Sequence, residues 1–224
     1  MPRARTWLND AGTAAASQDQ GSGCSLNFLL PPLTVILIST FLATVAWKAS
    51  PITRPPLRPS IISMIFTPEV QYWSDSISRW SAASGLDPDL VATVMQIESC
   101  GDPRATSTAG AMGLFQVMPF HFTILDQPYN PDINAERGLA YLVRSLDAAK
   151  GDARLALAGY NGGIGVINRG EWTWSAQTKR YVQYGWPIYY DTRLGASSSS
   201  ALSEWHKKYG AGLCRKAHER LGLP

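Results

Sequence analysis

The stretch DPDLVATVMQIESCGDPRATSTAGAMGLFQVMP, residues 87–119, sets a helix, a carboxylate at its end and a glycine-rich loop in one run. Asp87 reads as an N-cap, Pro88 as the first helical residue and Asp89 as an acid in the first turn. Val91, Val94 and Met95 form an apolar face at helical spacing. The helix then ends at Glu98. A carboxyl beside a helix C-terminus is disfavoured as an anion, and partial burial raises its pKa towards the range a general acid needs near neutral pH. From position alone, a solvated helix-end glutamate is the simpler reading. The following loop shifts the balance. Its glycines at 101, 110 and 113 permit tight turns. Ser107 and Gln116 supply neutral hydrogen-bonding groups of the kind that suit sugar hydroxyls and amides. Met118 adds a flexible apolar contact. Folded back over the helix end, such a loop forms one wall of a polar groove.

Working outward, the periodicity stays helical. Val70, Trp73, Ile77 and Trp80 predict one helix over residues 68–84. Ile133, Leu139, Leu142, Val143 and Leu146 predict a helix over 131–150, closed by Gly151. Asp152 caps another helix running through Leu155, Leu157 and Tyr160. Residues 178–190 predict a last, aromatic helix. Strand signals are weak and no internal repeat is visible. The expected fold class is all-α, or mostly helical, with the domain spanning residues 68–194. Gly195 to Ser200 then breaks the pattern, and 195–224 reads as a Ser-rich linker with a polar, aromatic C-terminal tail.

Before the domain, residues 1–25 are polar and read as disordered. Residues 26–47 carry no charge over 22 positions, enough for a transmembrane helix, with Trp47 and Lys48 at the interface. A secretory signal ending at Ala43 or Ala46 is the alternative; it would make the protein secreted. A lipoprotein signal is excluded because Cys24 precedes the apolar run. Lys48, Arg54 and Arg58 follow the run closely, which by the positive-inside rule favours a cytoplasmic C-terminal side. Residues 48–67 form a Pro-rich spacer.

Twenty basic and 17 acidic residues give a net charge of +3, too little to suggest nucleic acid. Of the 8 tryptophans and 9 tyrosines, many fall between Tyr160 and Tyr209, where they serve either sugar stacking or packing. The cysteines, Cys24, Cys100 and Cys214, have no CxxC spacing, and no metal site is expected. His121, His206 and His218 lack metal spacing too and read as surface or packing residues. An extracytoplasmic domain would hold Cys100 and Cys214 alone, which makes them a disulfide candidate; two free thiols are the alternative. No nucleophilic triad, phosphate loop or nucleic-acid module is present, and no cofactor is expected.

Residues 98–119 resemble ESxxxPxAxSxxGAxGLxQxMP, the signature of SLT-type lytic transglycosylase domains with a goose-lysozyme-like fold. Glu98, Ser99, Pro103, Ala105, Ser107, Gly110, Ala111, Gly113, Leu114, Gln116, Met118 and Pro119 match without a gap. Residues 130–163 are similar to a second family block, N-x-x-x-G-x-x-Y-L followed by A-L-A-A-Y-N-A-G. Residues 179–190 match a Tyr-Val segment more weakly. The resemblance implies a lysozyme-like helical domain in which Glu98 is the sole catalytic acid and base. It further implies that Ser107, Gln116, Met118, Tyr160 and Asn161 bind the muramyl residue of peptidoglycan, with Tyr160 donating a hydrogen bond near Glu98 or the substrate's acetamido group. The expected protein is then a monomeric, single-pass membrane enzyme with its catalytic domain outside the cytoplasm. Gly159 and Gly162 depart from the pattern, which has alanines there, and are expected to loosen Tyr160. Two rival readings are a lysozyme-like hydrolase, which needs a second carboxylate, and a non-catalytic wall-binding module.

Overall fold

The helix that ends in Glu98 lies at the centre of the core. In the computed structural model, which describes residues 62–224, this helix is α3 (Pro88–Glu98). The others are α1 (Pro68–Gln71), α2 (Ser74–Ser84), α4 (Pro131–Ala148), α5 (Ala153–Gly162), α6 (Ala176–Arg193), α7 (Ser200–Trp205) and α8 (Ala211–Leu221). The expected disordered segment, the membrane anchor and most of the spacer lie outside the described residues.

α3 begins where the sequence says it should. The Asp87 carboxylate accepts from the amides of Asp89 and Leu90, and Pro88 occupies the first turn. Every residue from Leu90 to Gln96 is buried. A helix apolar on all sides belongs inside a bundle, and α3 packs against α2 on one side and α6 on another, while α5 lies between α4 and α6. Among the described residues there is no strand, only the isolated bridges Thr106–Met112 and Met112–Val117 within the loop after Glu98. The mostly helical expectation holds. Among the same residues no helix is long and apolar enough to cross a membrane.

Four details differ from the sequence reading. Residues 68–84 form two helices, broken at Tyr72 and Trp73. The three-and-four spacing persists through the break because Trp73 still turns inward, its indole donating to the Gly101 carbonyl at 2.9 Å. Ile62 and Phe66, assigned to the spacer, are buried in the core. The tail is also not a loose appendage. α7, a π-helical turn (His206–Gly210) and α8 follow the last expected helix, and Leu202, Trp205, Cys214 and Ala217 are buried against the main core. These short helices hid behind four serines and a charge-rich pattern. That last expected helix itself runs longer, Ala176–Arg193, with Pro187 inside it.

Candidate active site

The loop after Glu98 is held by its own polar side chains and by α4. Ser99 Oγ donates to the Leu114 carbonyl at 2.7 Å. Asn134, buried on α4, accepts from the Phe115 amide at 2.9 Å and donates to the carbonyls of Met112 and Pro128 at 2.8 and 2.9 Å. One side-chain amide therefore satisfies the Phe115 amide and the Pro128 carbonyl, and adds a second hydrogen bond to the Met112 carbonyl, which also accepts from the Val117 amide at 2.9 Å. Gln116 follows with φ at 45°, a left-handed conformation that non-glycine residues seldom adopt. Its side-chain nitrogen donates to the carbonyls of Ala105 and Gly113, which leaves its amide oxygen for the cavity.

The loop closes over a cavity of about 410 Å³, within the usual range for small-molecule sites. Glu98, Ser107, Gln116, Met118, Tyr160 and Asn161 all line it. Glu98 is crowded by its neighbours, with only part of its surface reaching the groove. Burial pushes its pKa up to about 8, against a smaller opposing effect of the Tyr181 hydroxyl. Ser107 Oγ accepts from the Ala111 amide at 3.0 Å, so its own proton is available to a ligand. The Asn161 carbonyl oxygen accepts from Thr178 Oγ1 at 3.2 Å, and its amide nitrogen is left to donate into the cavity.

Tyr160 is placed differently from the expectation. Its hydroxyl donates to the Phe115 carbonyl at 2.7 Å, not towards Glu98. It braces the loop against α5, and burial raises its pKa well above the ordinary tyrosine range, with the Glu98 charge adding to this. The two glycines beside it do not loosen it either. A Cβ on Gly159 would stand 2.6 Å from Ile167 Cδ1, and one on Gly162 would stand 2.7 Å from Thr178 Oγ1. Larger neighbours fill the space that alanine methyls would take, and one of them is the hydroxyl that orients Asn161.

Several residues at the site escaped the sequence reading. Tyr181 lies beside Glu98, deeply buried, its hydroxyl close enough to act on the carboxylate but making no hydrogen bond of good geometry. The signal for it was the Tyr-Val pair at 181–182, which carried no role on its own. His121 lines the cavity and lies tilted against Tyr141 at 4.9 Å, and Tyr141 packs edge-on against Tyr160 at 5.7 Å. Burial, then the Arg144 charge, lowers the His121 pKa, which favours the neutral imidazole. Phe120, 74% exposed, presents its ring at the cavity rim. The aromatic face open to a ligand here thus lies at 120–121, ahead of the 160–209 stretch that the aromatic count pointed to.

The tail ties down the same region. Cys100 and Cys214 form a disulfide, with Cα atoms 5.0 Å apart. Arg220 donates to both carboxylate oxygens of the buried Asp102 at 2.6 and 2.8 Å. His218 Nδ1 lies 3.0 Å from Glu69 Oε1. Glu69 also stands near the two cysteine sulfurs, but these are spent in the bridge and unsuited to binding a metal ion.

Residues 75–182 match the family described as Transglycosylase SLT domain. A transglycosylase of Enterobacteria phage PRD1 is 44% identical over 111 residues, covering 49% of this chain and 40% of that protein. An endo-type membrane-bound lytic murein transglycosylase A of Klebsiella pneumoniae is 28% identical over 121 residues, 48% of this chain and 57% of that one. A membrane-bound lytic murein transglycosylase C of Histophilus somni is 34% identical over 113 residues, 42% of this chain and 31% of that one. The chain thus spans between about a third and three fifths of the length of these relatives. Among solved structures, an inactive mutant of lytic transglycosylase Slt from Pseudomonas aeruginosa is similar at 26% identity and a TM-score of 0.45, over 58% of this chain and 25% of that one.

Proposed function

We propose, from the match of residues 75–182 to the Transglycosylase SLT domain family, that the chain is a peptidoglycan lytic transglycosylase with Glu98 as its acid and base. It cleaves the bond between N-acetylmuramic acid and N-acetylglucosamine. Glu98, protonated at neutral pH, gives its proton to the glycosidic oxygen as the bond breaks. The substrate's acetamido oxygen stabilises the developing cation. The Glu98 carboxylate then takes the proton of the same sugar's 6-hydroxyl, whose oxygen closes on the anomeric carbon to give a 1,6-anhydromuramyl end. The carboxylate is reprotonated in the process and no water is consumed.

One observation carries this reading. Among the described residues Glu98 is the sole acidic one lining the 410 Å³ cavity, and burial raises its pKa to about 8. Hydrolysis by a two-carboxylate route needs a second acid across the scissile bond, and among the described residues none lines this cavity. Ser107, Gln116, Met118 and Asn161 are assigned to substrate, and Tyr160 to bracing the loop that carries Gln116. The compartment follows from the same reading. The Cys100–Cys214 bridge favours an oxidising space, which argues for an extracytoplasmic domain against the basic residues after position 47. Residues 26–47 serve as its single-pass anchor, in keeping with the membrane-bound relatives.

The test is mass spectrometry of products from purified peptidoglycan. Anhydromuramyl ends with the wild type, and none with Glu98→Gln, are expected. Reducing ends would replace this reading with hydrolysis. Equal inertness of both proteins would overturn the enzyme assignment.

A further inference from the structure

A second cavity, of about 220 Å³, adjoins the first and shares Glu98, Asn161 and Gln177 with it. Its outer wall comes from the tail, through Trp205, Tyr209 and Leu213, beyond the residues that match the family. At this size it falls below the ~300–1,000 Å³ of sites that enclose a whole small molecule. It suits an arm of a ligand anchored elsewhere.

Its chemistry is cationic and aromatic. The Arg180 guanidinium lies over the Tyr209 ring, 5.2 Å from its centroid, and Tyr209 packs edge-on against Tyr184 at 5.7 Å. Arg180 is exposed and makes no ion pair among the described residues. The influences on Glu98 are burial and Tyr181, so Arg180 is not there to tune that carboxyl. The Tyr181 hydroxyl at the same cavity faces the Glu98 carboxyl, so Arg180 is the polar group there with no partner of its own. A cation without a counter-ion calls for an anionic oxygen ligand. The tail is built to hold this wall in place. The π-helical turn His206–Gly210, a local widening frequent at functional sites, carries Tyr209, and the disulfide fixes α8 behind it.

We propose that this tail-built cavity binds the carboxylate-bearing peptide arm of the glycan strand, with Arg180 as its anion partner and Tyr209 as the platform that holds Arg180. The inference rests on peptidoglycan being the substrate. It makes the C-terminal helices a specificity element that favours peptide-substituted strands over bare ones.

The test measures binding, not cleavage, so that it stands apart from the assignment of activity. Glu98→Gln protein is titrated calorimetrically with a bare N-acetylglucosaminyl-N-acetylmuramyl disaccharide, with the same disaccharide carrying its peptide, and with that peptide's carboxylates amidated. The peptide-bearing ligand is expected to bind about tenfold more tightly than the other two, the scale of a charge-assisted hydrogen bond. Adding Arg180→Gln is expected to erase that preference, and Tyr209→Ala to reduce it. Equal or unmeasurable binding of all three ligands, or a preference untouched by Arg180→Gln, would overturn the proposal. A wild type that binds with this preference but cleaves nothing would instead sink the reaction and leave the subsite standing.

Discussion

Tyr160 donates its hydroxyl proton to the Phe115 carbonyl, 2.7 Å away, and so joins α5 to the strained turn that carries Gln116. The same turn is held from α4 by Asn134, which accepts from the Phe115 amide. Both hydrogen-bonding groups of one buried residue's backbone are therefore consumed by side chains from two different helices. The position of Gln116 is a consequence of that double grip. Tyr160→Phe keeps the ring and removes the donor, leaving a buried carbonyl unpaired at a cost of about 1–3 kcal/mol. The expected outcome is a lowered unfolding midpoint together with a raised KM, since Gln116 loses its support. A variant of wild-type KM would show that Asn134 alone fixes the turn.

Glu98 makes stability depend on pH in an unusual direction. Its ordinary value is 4.5 and burial raises it to about 8 in the folded protein. Between those pH values the native state holds a proton that the unfolded chain has released, so stability falls as pH rises through this window. Glu98→Gln removes the effect. Its unfolding free energy should match that of the wild type near pH 4.5 and exceed it increasingly up to pH 8, by a few kcal/mol, since each tenfold change in proton affinity is worth about 1.4 kcal/mol. For the same reason kcat/KM should fall above pH about 8, as the general acid loses its proton. Parallel pH profiles of stability for the two proteins would contradict the burial of this carboxyl.

The sequence made α3, α4 and α5 legible because each carries both a cap and an apolar stripe. Asp87, Asn130 and Asp152 all accept from the amides of the turns they open. The site was legible through its neutral polar residues, since Ser107, Gln116 and Asn161 line one cavity with Glu98. What stayed hidden depended on long-range partners. Trp73, at the break, is held by a hydrogen bond to Gly101, 28 positions away. The direction of the Tyr160 hydroxyl is set by a carbonyl 45 positions away. α7 and α8 fold onto the core through few apolar residues and a bridge, and short charged helices of that kind give little periodic signal. Tyr181 was visible as a residue, but nothing local says that it meets Glu98.

The pair Gly159 and Gly162 exchanges volume with Ile167 and Thr178. A methyl on Gly159 meets the far end of Ile167, which has some freedom to move, whereas one on Gly162 meets Thr178 near its branch. Gly159→Ala should therefore cost about 1–3 kcal/mol from overpacking, recovered in part by adding Ile167→Val. Gly162→Ala should reach further, because Thr178 Oγ1 also holds the Asn161 carbonyl oxygen. Its expected signature is a loss of turnover larger than its loss of stability. Thr178→Val, which keeps the shape and removes the hydroxyl, should lower turnover in the same way. Unchanged turnover in that variant would mean that Thr178 does not orient Asn161.

The tail should behave as part of the domain when its ties are cut. The Cys100–Cys214 bridge closes a segment of 114 positions, and loop closure on this scale contributes about 2–5 kcal/mol through the unfolded state. Replacing both cysteines by serine should lower the unfolding midpoint accordingly, and the wild type in reductant should follow it. Arg220→Ala leaves Asp102 buried without its guanidinium, though the Arg104 amide still donates to it at 2.8 Å. Because the arginine itself is 43% exposed, solvent weakens the pair, and the cost should be about 1–2 kcal/mol. The two losses act on the same helix and should not simply add. With the bridge intact, α8 stays near Asp102 even when Arg220 is gone. Without the bridge, Arg220 and His218 are the remaining polar ties to α1 and the loop after Glu98. Removing Arg220 in the double-serine protein should therefore release α8, seen as rapid proteolysis after Trp205 and hydrogen exchange across residues 211–221. Retained protection there would show that burial of Trp205 and Ala217 alone suffices to dock the tail.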